Sequence, residues 1–187
     1  MAITLQVDDT IVLEQIDYHH AERLFELVKV NRLLLREWLP WVDHMRTLDD
    51  FRNFIHQAKQ RHAARTETGF VIMVQHTMAG RIGLYNMDWQ HKTASIGYWL
   101  DEQHQGRGIM TRCCQSLIRY CFTGLGLNRI EIRCGTANTK SQAIPERLHF
   151  KNEGTIRQAE FVNNAFIDLH IYALIREEWK EETYHHK

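Results

Sequence analysis

A predicted strand, a turn with two glycines and a predicted helix follow one another between residues 96 and 111. Residues 96–100 are mostly apolar, as in a buried strand, and from Ile109 onward apolar residues recur at helical spacing. The first-turn N–H groups of a helix have no partner inside it, and glycines let an anion approach the backbone closely. This stretch therefore predicts a backbone anion site at a strand-to-helix turn, in a protein that mixes α and β structure.

The glycine spacing excludes two common phosphate-binding motifs. A dinucleotide fingerprint needs a third glycine, and the chain has Thr111 in that place after Gly106 and Gly108. A P-loop needs Gly-Lys-Ser/Thr at the start of the helix, which is absent as well. On these residues alone, an ordinary glycine turn at a helix start stays open as the alternative.

Hydrophobic periodicity over the whole chain predicts the order β-α-α-β-β-β-α-β-α-β-β. The expected fold class is α/β or α+β, with a mixed sheet and helices on both of its faces. One domain is expected over residues 1–180, followed by a frayed polar tail at 181–187. Hairpin turns are predicted around 77–80 and 163–164. The predicted strands lie at 11–16, 70–74, 80–86, 94–100, 130–134, 155–161 and 166–174, and the predicted helices at 17–31, around 35–38, and at 47–64, 109–121 and 141–148.

Charge and cysteine content exclude several classes of protein. The 23 Lys and Arg balance the 23 Asp and Glu, whereas a general nucleic-acid binder needs a large basic excess. No apolar run approaches the roughly 18 residues needed to cross a membrane, and the start lacks the basic-then-apolar form of a signal peptide. The four cysteines have neither disulfide-framework nor zinc-site spacing, which predicts free thiols, no metal and a reducing cytoplasm.

The anion turn also carries the pattern of a known family. Gln105-x-x-Gly108-x-Met110 resembles the Q/R-x-x-G-x-G/A loop of the GNAT acetyltransferase superfamily, which holds the pyrophosphate of acetyl-CoA. Met110 departs from the small residue expected in the last place. The backbone N–H that this position supplies does not depend on its side chain.

Further segments resemble the RimJ/RimL branch of this superfamily. Asn138-x-x-Ser141 matches the N-x-x-S part of its signature. The run 146–154 matches the part that follows, except that His149 stands where the branch usually has glycine. Segments similar to RimL-type ribosomal-protein-serine N-acetyltransferases in particular lie at 92–102, with Gln105 and Gly106 beyond it, and at 157–163.

The resemblance implies the GNAT fold, a mixed and mostly antiparallel sheet in which two parallel strands splay and hold the pantetheine arm of acetyl-CoA. The splayed strands would be 94–100 and 130–134, and a backbone N–H near Trp99 or Leu100 would stabilise the oxyanion. Acetyl-CoA would be the cosubstrate. The residues implied to bind it are Trp99, Leu100, Gln105, Gly106, Arg107, Gly108, Ile109, Met110, Thr111, Cys134 and Asn138.

Direct attack by an amine needs a base for its proton and an acid for the leaving thiolate. The resemblance implies Glu160 as the base, with Asp168 in reserve, and Ser141 as the acid. On position alone, the alternatives are a solvated hairpin residue for Glu160 and a helix N-cap for Ser141. Asn138 would hydrogen-bond the pantetheine arm, or serve only as a turn residue after its strand.

Cys134 differs from the other cysteines because it lies beside the implied acetyl site. An acyl-enzyme route through its thiol needs an activating His or Asp, and no such spacing is present. A small buried strand residue is therefore the favoured interpretation, although the position predicts sensitivity to thiol reagents. Cys113, Cys114 and Cys121 lie mainly on the apolar side of a predicted helix and are expected in the core.

Two of the five tryptophans, Trp38 and Trp41, lie close together at the end of a predicted helix. A core position would suit them. If exposed, they would suit a peptide-binding wall or a dimer surface. The sequence leaves these alternatives open.

The implied activity is transfer of acetyl to the N-terminal serine of a ribosomal protein, favouring the acidic stalk protein of the large subunit, by direct attack in a ternary complex. An α-amino group has a pKa of about 7.7–8.0 and is partly neutral at pH 7, so a modest carboxylate base suffices. Two alternatives stay open: a polyamine, drug or other small amine as acceptor, and a non-catalytic CoA-binding domain. A homodimer is also implied, whereas neither nucleic acid nor a membrane is an expected partner.

Overall fold

One eight-stranded sheet forms the centre of the computed structural model, which describes residues 2–180. Its strands are β1 (Thr4–Gln6), β2 (Ile11–Gln15), β3 (Thr68–Val74), β4 (Thr77–Asp88), β5 (Thr93–Leu100), β6 (Arg129–Gly135), β7 (Lys151–Val162) and β8 (Ala165–Ile175). The helices are α1 (Ala21–Val30), α2 (Arg32–Arg36), α3 (Leu48–Ala63), α4 (Ile109–Arg119) and α5 (Thr139–Arg147). The strand order is β1-β2-β3-β4-β5-β6-β8-β7.

The structure confirms the predicted mixed α/β class. The succession of elements differs from the predicted order by one added strand at the start and by the short helix α2, which the order omits although a short helical stretch was predicted around 35–38. The added strand, β1, has only three residues, of which only Leu5 is apolar. So short a segment shows no periodicity from which a strand could be predicted. The predicted tail at 181–187 lies outside the described residues.

The hairpin turns agree with the prediction in one case and differ in the other. The predicted turn around 77–80 is wrong, because the chain turns at Gln75 and His76 and β4 begins directly after them. Both turn residues have positive φ, which matches the twist of a tight hairpin, but neither is the Asn or Gly that usually marks such a turn. The predicted turn at 163–164 is confirmed.

β5 and β6 are the parallel pair in an otherwise antiparallel sheet. Their register runs from Thr93 opposite Arg129 to Ile96 opposite Ile132 and stops there. β5 continues to Leu100 along β4, and β6 continues along β8, so each strand keeps its outer neighbour while the inner pairing ends. The two strands therefore part, as the resemblance implied, and leave a gap in the sheet.

Apolar clusters cover both faces of the sheet. α4 packs through residues such as Cys113 and Leu117 on the face that includes Leu100 and Ile132. α1 and α3 pack on the opposite face, which includes Trp99. Within residues 2–180, no helix combines the length and apolar character that a membrane span requires. The gap between β5 and β6 thus lies between two helical layers.

Candidate active site

The turn that leads from β5 into α4 presents backbone N–H groups to open space. Gly106 and Gly108 have φ values of 74° and 69°, and a Cβ at either position would meet no atom within 4 Å. The N–H of Arg112 donates to the carbonyl of Gly108 at 3.1 Å, so the N–H groups of residues 109–111 precede this first helical bond. The side chains of Ile109 and Met110 are buried in the core, which fixes the helix start. The backbone N–H groups of this turn and the open space beside its glycines both suit a bound anion.

The side chains of Lys140 and Arg112 lie beside this turn, and Arg112 is also ion-paired with Asp8 at 2.9 Å. The first turn of α4 contains no acidic residue. Lys140 Nζ donates to Gln105 Oε1 at 3.3 Å, and the Arg112 guanidinium donates to the carbonyl of Arg107 at 3.4 Å. Gln105 Nε2 also donates to the carbonyl of Leu100 at 3.3 Å, which ties the turn to the end of β5. An anion here would meet the helix dipole and nearby cations together.

The backbone N–H of Leu100 faces the gap. The N–H of Asp101 donates to the carbonyl of Ala79 on β4 at 2.7 Å. In an antiparallel ladder, hydrogen-bonded and non-hydrogen-bonded residue pairs alternate. The backbone N–H of Trp99, opposite Arg81, therefore also points to β4, whereas the backbone N–H of Leu100 points away from β4. β6 has already parted from β5 at this point. Of the two oxyanion donors implied by the sequence, the geometry therefore favours Leu100.

Ser141, Cys134 and Tyr98 form a cluster across the gap. Ser141 Oγ lies 3.2 Å from Cys134 Sγ and 3.4 Å from the Tyr98 hydroxyl oxygen. The Tyr98 hydroxyl donates to the carbonyl of Ser141 at 3.0 Å. Sequence reasoning did not single out Tyr98, although alternation along β5 places its backbone N–H on the same side as that of Leu100. The cluster offers hydroxyl donors where the two strands part.

Asn138 caps α5 and positions Ser141. Its side-chain oxygen accepts a hydrogen bond from the backbone N–H of Ser141 at 3.1 Å. The alternative prediction that Ser141 is a helix N-cap is therefore wrong, because Asn138 takes that place and Ser141 lies in the first turn. The Ser141 hydroxyl is consequently available to the gap.

Burial keeps the ionisable groups of this cluster protonated at neutral pH. It raises the pKa of the Cys134 thiol, although hydrogen bonds with Ser141 and Tyr98 offset part of the effect. It raises the pKa of Tyr98 as well. Neither Ser141 nor Tyr98 is a base that would activate the thiol, so the arrangement disfavours an acyl-enzyme on Cys134. Sensitivity to thiol reagents stays a prediction, and a buried, protonated thiol implies slow reaction.

Glu160 lies on the opposite face of the sheet from Ser141. A Cβ on Gly135 would meet Trp38 at 3.4 Å and Ile167 at 3.5 Å, and Ile167 pairs directly with Glu160. Cys134 precedes Gly135 and faces the other way. β8 separates β7 from β6, which places Glu160 about 10 Å from β6 at ordinary strand spacing. A carboxylate at that distance from the gap would act on it through water.

Burial raises the pKa of Glu160, and the positive charge of Arg133 offsets part of this effect. A raised pKa brings a carboxylate nearer to neutral pH, where a general base works best. Asp168, the reserve base, lies on the neighbouring strand. Its carboxylate accepts the backbone N–H of Gln158 at 2.8 Å, and its carbonyl accepts that of Thr136 at 3.0 Å.

A cavity of about 300 Å³ opens at the end of β6, on the side that faces Trp38. Trp38, Thr136, Phe166 and Asp168 are among the residues that line it. Trp41 lies 6.4 Å from Trp99, measured between ring centroids, in the apolar layer on this face. Trp38 is therefore the tryptophan of this pair that a ligand in the cavity would meet. The anion turn and this cavity lie on opposite sides of the gap.

A group of potential metal ligands lies elsewhere, at Glu14, His19 and His20, whose ligand atoms lie within 4.8 Å of one another. His20 Nδ1 accepts the backbone N–H of Asp17 at 3.0 Å, so the proton of a neutral ring sits on Nε2, which faces Glu14 at 3.4 Å. A metal would need the lone pair of that same nitrogen. The hydrogen bonds account for the cluster without a metal.

Comparison with known proteins identifies a family. Residues 10–151 match the model of the acetyltransferase (GNAT) domain. The ribosomal-protein-serine acetyltransferase of Escherichia coli K12 is 32% identical over 175 residues, which cover 94% of this chain and 98% of that protein. A solved RimL ribosomal L7/L12 α-N-protein acetyltransferase, bound to coenzyme A through a disulfide to one of its cysteines, matches with a TM-score of 0.90 and 31% identity, covering 92% of this chain and 98% of that one. The microcin C7 self-immunity acetyltransferase MccE, solved with acetyl-CoA and AMP, matches with a TM-score of 0.86 and 30% identity, covering 90% of this chain and 94% of that one.

Proposed function

This chain belongs to the GNAT acetyltransferases, and on that premise we propose that it transfers the acetyl group of acetyl-CoA to the N-terminal α-amine of a ribosomal protein. The observation that carries the proposal is the gap between β5 and β6, which adjoins a glycine-lined helix start. The similarity to ribosomal-protein-serine and L7/L12 acetyltransferases supports an N-terminal serine as the acceptor. The protein would be cytoplasmic, where ribosomal proteins are made.

The two sides of the gap would take different substrates. The N–H groups of residues 109–111 would hold the pyrophosphate, with Lys140 adding positive charge. The unpaired edges of β5 and β6 would hold the pantetheine arm, and Asn138 would hydrogen-bond it. The acceptor would enter from the Trp38 side. Direct attack in a ternary complex then needs no acetylated intermediate on the protein.

The chemistry needs three groups. Glu160, through a water molecule, takes the proton that the amine loses as its nitrogen bonds to the thioester carbon. The N–H of Leu100 donates to the oxyanion that forms on the carbonyl oxygen. Ser141 donates its proton to the sulfur as the carbon–sulfur bond breaks, so that CoA leaves as a thiol. The proton that Glu160 accepted returns to Ser141 through water. The products are the acetamide and free CoA.

The proposal is tested by following thiol release from acetyl-CoA with a peptide that has the N-terminal sequence of the stalk protein, with spermidine, and with no added amine. Turnover with the peptide, proven by mass spectrometry of an acetylated α-amine, is the expected result. Turnover with a small amine alone would contradict it, and CoA binding without turnover on any amine would favour the non-catalytic alternative. A homodimer is part of the proposal, and analytical ultracentrifugation tests it separately.

Gly108→Ala is expected to raise the KM for acetyl-CoA about tenfold or more while leaving the KM for the acceptor unchanged. A methyl group at φ 69° adds about 1–2 kcal/mol of backbone strain, and it fills the space that the pyrophosphate would take. Losing one hydrogen bond to a charged group accounts for a change of this size. Steady-state kinetics with each substrate varied measures it.

Gly126→Ala is the matched control for this substitution. Gly126 has φ 67° and equally open surroundings, but it lies outside the anion turn. It should lower the melting temperature by a similar amount and leave both KM values unchanged. Equal effects of the two variants on KM would mean that the turn does not bind the pyrophosphate.

A further inference from the structure

Two cavities meet at Asp168. One is the Trp38 cavity at the end of β6. The other, of about 510 Å³, is lined by Arg157, Gln158 and Asp168 on the β7–β8 hairpin. The hydrogen bond between the Thr136 N–H and the Asp168 carbonyl holds the hairpin against the end of β6. A chain that enters the gap through the first cavity can therefore continue into the second.

Local backbone geometry places the two charged groups of the second cavity. The register between β7 and β8 shifts between Ile156 and Glu160, and Gln158, inside this bulge, has φ 50°. The bulge turns the N–H of Gln158 toward the carboxylate of Asp168, which accepts it at 2.8 Å. One strand irregularity thus brings Arg157 and Asp168 to the same cavity.

The positive charge of Arg157 is available to a ligand in this second cavity. Within residues 2–180, no carboxylate lies within ion-pair distance of its guanidinium, and its side chain is exposed. Asp168 uses one oxygen for the Gln158 N–H and keeps the other for a further donor. A cavity with one guanidinium and one carboxylate suits a ligand that carries both an acid and N–H donors. It does not suit a polycation, which Arg157 would repel.

We propose that this cavity is an acceptor subsite that selects peptides with an acidic side chain shortly after the N-terminal residue. Arg157 pairs with that side chain, and Asp168 accepts a hydrogen bond from a backbone N–H of the same peptide. The proposal rests on the N-terminal acetyltransferase activity proposed above and adds a charge preference to it. In this proposal Arg157 and Asp168 position the acceptor peptide, and the proton transfer is assigned to Glu160.

The test uses three N-terminal-serine peptides that differ only at their third and fourth residues, which are both Glu, both Ala or both Lys. With the unmodified protein, kcat/KM is expected to fall about three- to fivefold from Glu to Ala and again from Ala to Lys, the size of an exposed ion pair. Arg157→Glu should invert this order. The change should appear in KM and should weaken with added salt, while kcat stays the same.

Arg176→Glu is the matched control, because it changes the net charge equally at an exposed position away from the cavity. It should keep the order Glu, Ala, Lys. Asp168→Asn should raise KM for all three peptides alike. The same peptide order in Arg157→Glu as in the unmodified protein would overturn the proposed subsite while leaving the activity intact. Failure of the unmodified protein to acetylate any of the peptides would instead overturn the proposed function.

Discussion

Replacing Ser141 with alanine is expected to lower kcat about 100-fold and to leave both KM values within twofold. Ser141 Oγ lies 3.2 Å from Cys134 Sγ, at the point where β5 and β6 have parted. The cluster contains no lysine or arginine that could neutralise a leaving thiolate in this buried place. A hydroxyl of the cluster must therefore supply the proton. Steady-state thiol release with a serine peptide measures the effect.

Two neighbouring substitutions separate this role from packing. Cys134→Ala removes the sulfur that Ser141 contacts without removing a hydroxyl, and it should change kcat by only a few-fold. Tyr98→Phe removes the hydrogen bond to the Ser141 carbonyl and should lower kcat about tenfold, because the serine loses one positioning contact. A 100-fold loss in Tyr98→Phe with less than twofold in Ser141→Ala would make Tyr98 the acid instead.

The sequence predicts the parts of the site that follow one another along the chain. β5, the glycine turn and α4 are continuous, and each has strong periodicity or a marked turn, so local pattern suffices to locate them. The parallel pair and its parting follow from the resemblance. Their register does not, because it depends on which residues of β6 meet those of β5.

The contacts that sequence reasoning did not predict are long-range. Tyr98, which it missed, meets Ser141 across 43 positions. Trp38, which it offered as part of a peptide-binding wall, lies beside Gly135 across an even longer separation. Nothing local to Tyr98 distinguishes it from any strand tyrosine. The cavity at Asp168 depends in addition on a bulge in β7, whose φ-positive residue is Gln158 rather than glycine. A bulge of that kind carries no composition signal.

Glu160→Gln is expected to lower kcat 100-fold or more at pH 7, because the amine proton then has no carboxylate to receive it. The dependence of kcat on pH tests whether Glu160 is the base. The base works only when deprotonated, so kcat falls tenfold per unit as the pH drops below its pKa. Burial raises the pKa of Glu160 above its ordinary value of 4.5, which moves this acidic limb toward neutral pH. The glutamine variant should lose the limb.

Stability and a second carboxylate supply the controls for Glu160. A raised pKa means that the folded protein disfavours the charged carboxylate, so the neutral amide should keep or slightly raise the melting temperature at pH 7. A loss of activity in a stable variant is then chemical. Asp168→Asn should keep the acidic limb and raise the acceptor KM instead. If the limb disappears in Asp168→Asn and persists in Glu160→Gln, Asp168 is the base, because only the residue that receives the proton can set the pH at which kcat falls.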